Sequence, residues 1–141
     1  MEIKEIEKEI IEEFAFFGDD WEGKYEHLIE MGKSLPLISS ELKTEERIIK
    51  GCQSKVWMHA ELKEGKVVYT ADSDAIITKG MIALIIRVLS GQKPEDILSA
   101  ELQFINEIGL TEHLSPTRAN GLVSMIKQMK LDALVLKAKM N

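Results

Sequence analysis

The run from Ala75 to Leu89 limits the fold of this chain more than any other segment. Its apolar residues go nearly all the way round a helix, interrupted by Lys79 and Arg87. A helix without a polar face has to be covered on several sides. The two charges and the short length disqualify it as a bilayer span. The remaining segments must therefore wrap it.

Taken in order, they can. Ile3, Ile6, Ile10, Phe14 and Phe17 recur at helical spacing, so the first element is an amphipathic helix closed by Gly18. Asp20 is placed to cap a second helix with the stripe Trp21, Tyr25, Leu28 and Ile29, closed by Gly32. Leu35-Pro36-Leu37 reads as an extended linker. Thr44-Glu45-Glu46 can open a single helical turn. Two strands follow, about residues 55–62 and 66–71, joined by a short hairpin loop at Lys63-Glu64-Gly65. Residues 48–50 can add a third, short strand. Asp72-Ser73-Asp74 breaks the sheet, with Asp74 or Ser73 as the cap of the central helix. Gly91 ends that helix, and Pro94 opens a short one through Leu98. Leu102, Phe104, Ile105 and Ile108 form another, ended by Gly109. Ser115-Pro116 starts the last helix, which runs to about Lys139. Gly121 inside it costs roughly 1 kcal/mol against alanine, which suggests close packing against another backbone. Helices, a small antiparallel sheet of about three strands, then more helices make an α+β fold.

A length of 141 residues suits one domain, 1–141, with a real core. There is no internal repeat or low-complexity segment. The net charge of −6 argues against a general nucleic-acid binder. Residues 1–13 carry six glutamates against Lys4 and Lys8, while residues 118–141 are basic; two solvated helix faces are the favoured account, with steering of a partner the weaker alternative. The start of the chain lacks the basic and apolar regions of a signal peptide, and no segment suits a membrane span, so the expected location is cytoplasmic.

There is one cysteine, Cys52. It cannot form an internal disulfide, nor a multi-cysteine zinc or iron–sulfur site from this chain alone. It stands on the lead-in to the first strand, where Val56, Met58, Ala60 and Leu62 alternate with Lys55, Trp57, His59 and Glu61. Gly51 allows a positive φ, so the thiol can be presented on a turn. Lys50 and Lys55 lie close in sequence, and cations near a thiol favour the reactive thiolate. The apolar neighbours Ile48, Ile49, Val56 and Trp57 can supply a pocket for it. A lone cysteine is also commonly a small buried hydrophobe, and an inert Cys52 is the plain alternative.

Gly51-Cys52-Gln53-Ser54-Lys55-Val56-Trp57 resembles the cysteine motif of the SufE family of sulfur acceptors, which includes CsdE-like proteins. Two further blocks match in the same order. One is Ala71-Asp72-Ser73-Asp74-Ala75 with Lys79-Gly80-Met81-Ile82-Ala83-Leu84. The other is His113-Leu114-Ser115-Pro116-Thr117-Arg118 with Asn120-Gly121-Leu122. The resemblance covers the chain from about Asp20 to Met129. Thr117 stands where the family usually has serine, and Met58 replaces a branched aliphatic residue.

What the resemblance implies is specific. The fold is a small sheet flanked by helices, similar to the IscU-type scaffold. Cys52 takes sulfur as a persulfide from a SufS-type cysteine desulfurase, stimulates that enzyme, and passes the sulfur to a SufB-type iron–sulfur assembly scaffold. The chain is a transfer partner rather than a conventional enzyme. It binds no cofactor or metal; the pyridoxal phosphate belongs to the desulfurase, and Cys52 carries only a transient persulfide. Gly51, Gln53, Ser54, Asp72, Asp74, His113 and Arg118 are implied to position the loop or meet the partner. The chain acts as a monomer or homodimer, without nucleic acid or membrane.

Read as residues alone, several of these have plainer roles. Asp72 and Asp74 lack companions for a metal site. His59 and His113 can act as bases or serve structure. Arg118, early in a helix, is badly placed for the helix dipole and so wants an acid, either Asp74 or one on another protein. A redox-sensing thiol protein is the alternative function, although it needs a resolving thiol from outside the chain.

Overall fold

A computed structural model describes residues 1–140. Its helices are α1 (Ile3–Ala15), α2 (Trp21–Lys33), α3 (Ile76–Leu89), α4 (Pro94–Ser99), α5 (Phe104–Glu107), α6 (Leu110–His113) and α7 (Pro116–Ala138). Its strands are β1 (Val56–Lys63) and β2 (Lys66–Ser73). The α+β architecture is the one read from the sequence, with the domain built around α3. From Met81 to Leu89 every residue of α3 except Arg87 is buried.

The cover comes from three sides. On the first, α2 crosses α3 where Gly32 and Gly80 meet. A Cβ on Gly80 would lie 2.3 Å from the Leu28 carbonyl oxygen, so the two backbones all but touch. Gly32 is therefore a packing residue inside α2 and not its terminator. On the second side, α1 contributes Ile3, Ile6, Ile10 and Phe14. The Glu13 carboxylate pairs with both terminal nitrogens of Arg87, which ties α1 to α3. On the third, the sheet and α7 meet through Tyr69, whose hydroxyl donates to the Met129 carbonyl at 2.7 Å. Burial pushes the Tyr69 phenol far above its usual range, so it stays a donor.

The hairpin pairs Val56 with Ser73 at one end and Lys63 with Lys66 at the other. Glu64 and Gly65 both have positive φ, the geometry of a two-residue turn that matches strand twist. The sheet has two strands rather than three. Ile48 makes only a single bridge to Trp57, and the Ile49 N–H donates to the Val56 carbonyl at 2.8 Å. The short helical turn at Glu45–Arg47 takes up the chain just before this point, which leaves no length for a further strand.

The cap of α3 also differs from expectation. Ala75 is the N-cap residue, and no side chain caps the helix. The Ser73 hydroxyl accepts from the Ala75 N–H, and Asp74 turns back toward the cysteine loop. At the other two capped starts the reading holds: Asp20 accepts from the Gly23 N–H and Ser115 from the Arg118 N–H.

Candidate functional site

Residues 50–54 form a loop pinned at its base. On the strand side, the Lys55 N–H donates to the Asp74 carboxylate at 3.0 Å. Beneath it lies the Ile49–Val56 backbone bond. Gly51 has φ +95°, so the turn needs glycine. Cys52 follows, half-buried, with its thiol directed to α7, where Sγ donates to the Gly121 carbonyl at 3.5 Å.

A Cβ on Gly121 would stand 3.6 Å from Sγ and 3.9 Å from the Cys52 Cα, ordinary contact distances, so Cys52 packs against this glycine without requiring it and the expected tight approach of another backbone is not found. The pocket is not made of Ile48, Ile49, Val56 and Trp57. Ile49 and Val56 are spent in the core, and Trp57 faces outward under the Lys43 ammonium, 4.4 Å from its ring centroid.

Cys52 instead opens into a cavity of about 370 Å³. Its walls are Gln53 and Ser54 from the loop, residues 74–78 and Met81 around the start of α3, and Thr117, Arg118, Gly121 and Met125 from α7, with Ile29 behind. Burial alone moves the Cys52 thiol, and moves it up. Lys50 and Lys55 are both exposed and do not offset that burial. At rest the site favours thiol over thiolate: burial and a carbonyl acceptor both suit the neutral form.

Of the residues singled out from the sequence, Cys52, Gln53, Ser54, Asp74 and Arg118 come together at the cavity. Gly51 is its outer neighbour, beside Ser124. Asp72 does not line it. Burial raises the Asp72 carboxyl, but the Lys43 hydrogen bond, the Ser73 N–H and the charges of Lys79 and Lys43 outweigh that and hold it below the usual carboxylate range. Asp72 thus clamps the end of β2. His113 is not at the cavity either. Its ring stacks on Trp21 at 3.7 Å and its Nδ1 lies 3.0 Å from the Gly109 carbonyl oxygen, a fastening between α6 and α2. Arg118 is exposed and has no ion pair among the described residues, so the Asp74 pairing is absent. Thr78, Met81 and Met125 were not foreseen, since apolar and hydroxyl residues in helices carry no signal of a cavity. Among the described residues no cluster of three or more His, Cys, Asp or Glu side chains is arranged to hold a metal.

The Asp74 bond makes a prediction. Asp74→Ala leaves the Lys55 N–H without its acceptor and should cost about 1 kcal/mol, visible as a small drop in melting temperature. The larger change should be faster alkylation of Cys52 as the loop loosens. A role as helix cap would instead lower stability and leave the alkylation rate alone.

Comparison with known proteins gives a consistent picture. Residues 8–133 match the SufE family model, described as an Fe-S metabolism associated domain. The chain is 39% identical over 130 residues to an uncharacterized SufE-like protein of Rhizobium meliloti (strain 1021), covering 89% of this chain and 92% of that one. It is 44% identical over 117 residues to SufE-like protein 1, chloroplastic/mitochondrial, of Arabidopsis thaliana, covering 82% of this chain and 32% of the longer plant protein. A hypothetical protein from Thermus thermophilus, solved in solution, superposes with a TM-score of 0.78 at 23% identity, covering 94% of this chain and 96% of that one, and shares the fold. No helix among the described residues is long and apolar enough to cross a membrane.

Proposed function

The chain belongs to the SufE family, and from that premise we propose that it is a sulfur carrier working through Cys52. The donor is a pyridoxal-phosphate cysteine desulfurase of the SufS type that bears a persulfide on its own cysteine. The Cys52 thiolate attacks the terminal sulfur. A bond forms between Sγ and that sulfur, the sulfur–sulfur bond of the donor breaks, and the donor cysteine leaves as a thiolate. Removing the persulfide frees the desulfurase for another turnover, which is how the carrier stimulates it. The sulfur then passes to an iron–sulfur assembly scaffold of the SufB type. A reducing cytoplasm suits a lone thiol of this kind.

The observation that carries this reading is the seat of Cys52. A nucleophilic sulfur lies on a loop built on a glycine turn and faces a cavity with room for an added sulfur atom. Shielding there limits loss of the persulfide to oxidants and stray thiols. The raised thiol implies activation on docking, when the loop leaves Gly121 and Cys52 meets the partner's charges. Arg118, exposed at the rim, is available to an acid of that partner.

Intact mass tests it. Incubated with a SufS-type desulfurase, pyridoxal phosphate and free cysteine, the protein should gain the mass of one or more sulfur atoms at Cys52. A reductant should remove the gain. An unchanged mass beside a demonstrably active desulfurase overturns the proposal. Peroxide-dependent gain of oxygen without any sulfur would support the redox-sensing alternative.

A further inference from the structure

Apart from Tyr69, whose hydroxyl is paired with the Met129 carbonyl, Thr78 is the one buried side chain of the described residues that carries a polar group; it is 7% exposed and lines the Cys52 cavity. No hydrogen bond of its side chain occurs among those residues. No sealed side-chain polar atom there lacks a partner either, so the Thr78 hydroxyl keeps its opening onto the cavity. The hydroxyl is therefore available to donate to whatever occupies the cavity, water included. The same cavity wall holds the first turn of α3. The N–H groups of Ile76, Ile77 and Thr78 have no intrahelical acceptor, and no side chain caps them.

The cavity therefore has two unlike ends. The Gly121 carbonyl on α7 accepts from the thiol at rest. The start of α3 presents donors and the positive end of a helix of 14 residues. A neutral thiol suits the first, and an anion suits the second. The charged groups on the walls are Asp74 and Arg118, one of each sign, and the Asp74 carboxylate accepts from the Lys55 N–H.

We propose that the start of α3, with the Thr78 hydroxyl, is the seat for the outer sulfur of the Cys52 persulfide, held there as an anion. This rests on the carrier reading and adds the residue that receives the charge. On loading, the cysteine exchanges a carbonyl acceptor for hydroxyl and amide donors within one cavity. Thr78 is a positioning residue for the persulfide and leaves the thiol form alone.

The test bypasses the desulfurase, so that its outcome stays separate from that of the carrier reading. Inorganic polysulfide loads Cys52 directly: Sγ bonds to one polysulfide sulfur as that sulfur's bond to the remainder breaks, and a shortened polysulfide leaves. The near-ultraviolet band of the persulfide anion is then titrated against pH in the wild type, Thr78→Val and Thr78→Ser, with circular dichroism following the fold. Valine has nearly the same shape, so the helix should be kept. Loss of a hydrogen bond to a charged group should raise the apparent persulfide pKa by about one unit in Thr78→Val. Thr78→Ser should restore it. A second measurement at neutral pH compares alkylation of loaded and unloaded protein. Removing the donor makes the anion more basic and should speed alkylation of the persulfide by about threefold without changing that of the thiol. Identical titration of wild type and Thr78→Val, failure of Thr78→Ser to restore it, or equal acceleration of thiol and persulfide would overturn the proposal.

Discussion

Gly80→Val is expected to cost on the order of 4 kcal/mol, enough to leave much of the protein unfolded if its stability lies at the low end of the usual 5–15 kcal/mol. The first carbon of the new side chain has nowhere to go. It would fall 2.3 Å from the Leu28 carbonyl oxygen and 2.8 Å from the carbon behind it, and both belong to a helix backbone. Rotamer changes cannot relieve a clash with main chain, so α2 has to move off α3 and open the layer containing Leu28, Met81 and Leu84. Gly32→Ala is the graded control. Its Cβ would meet the Gly80 nitrogen at 3.0 Å, and the cost should be about 1–2 kcal/mol. Urea unfolding followed by circular dichroism measures both. A Gly80→Val midpoint near that of the wild type would show that the two helices are not locked at this crossing.

Gly51→Val should reduce sulfur transfer by about tenfold or more while the core stays folded. Two effects coincide at this position. The backbone holds φ +95°, which a β-branched residue strongly resists, at a cost of about 1–3 kcal/mol. The added Cβ would also lie 2.3 Å from the Ser124 hydroxyl oxygen. Ser124 sits at the end of a side chain and can give way, so backbone strain is the larger of the two. The loop then refolds into another turn and carries Cys52 off the Gly121 carbonyl. A double variant with Ser124→Ala separates the causes: it relieves the contact and should recover little transfer. Alkylation of unloaded Cys52 should become faster, since the thiol loses its shelter, even as enzymatic loading falls. Wild-type loading by Gly51→Val would refute a requirement for this turn.

Local patterns marked out most of the architecture. Alternation through Val56–Leu62 gave β1, the Ser115-Pro116 pair gave the start of α7, and the all-round apolar run gave the buried helix. Errors arose where tertiary contacts override local chemistry. Asp74 has the composition of a cap, yet its carboxylate is taken by an amide nineteen residues earlier, which sequence adjacency does not reveal. Ile48 is β-branched, but one bridge is all the geometry allows. The motif blocks contained Cys52, Asp74 and Arg118, which the fold brings to one cavity, while Gly121 meets Cys52 only at ordinary contact distance and not the close backbone its place in a helix suggested. Thr78 lay unseen, because its significance is the absence of a partner in three dimensions. His113 and Asp72 fell inside the same motifs and turned out to be fastenings nearby.

The pinned base of the cysteine loop sets a length. Below the Ile49–Val56 bond the chain belongs to the core and does not travel. Cys52 is the third residue beyond Ile49, and three extended residues reach about 10 Å. On the carrier reading, a donor sulfur must therefore approach to within roughly that distance, plus the reach of the cysteine side chain, of Ile49, however freely the loop swings. A partner whose reactive cysteine lay deeper would have to admit part of the body of this protein, including the exposed Ile76 beside the loop. On the carrier reading one short tether limits how deep a donor's entrance can be, and a loop lengthened by two residues should widen the set of donors served.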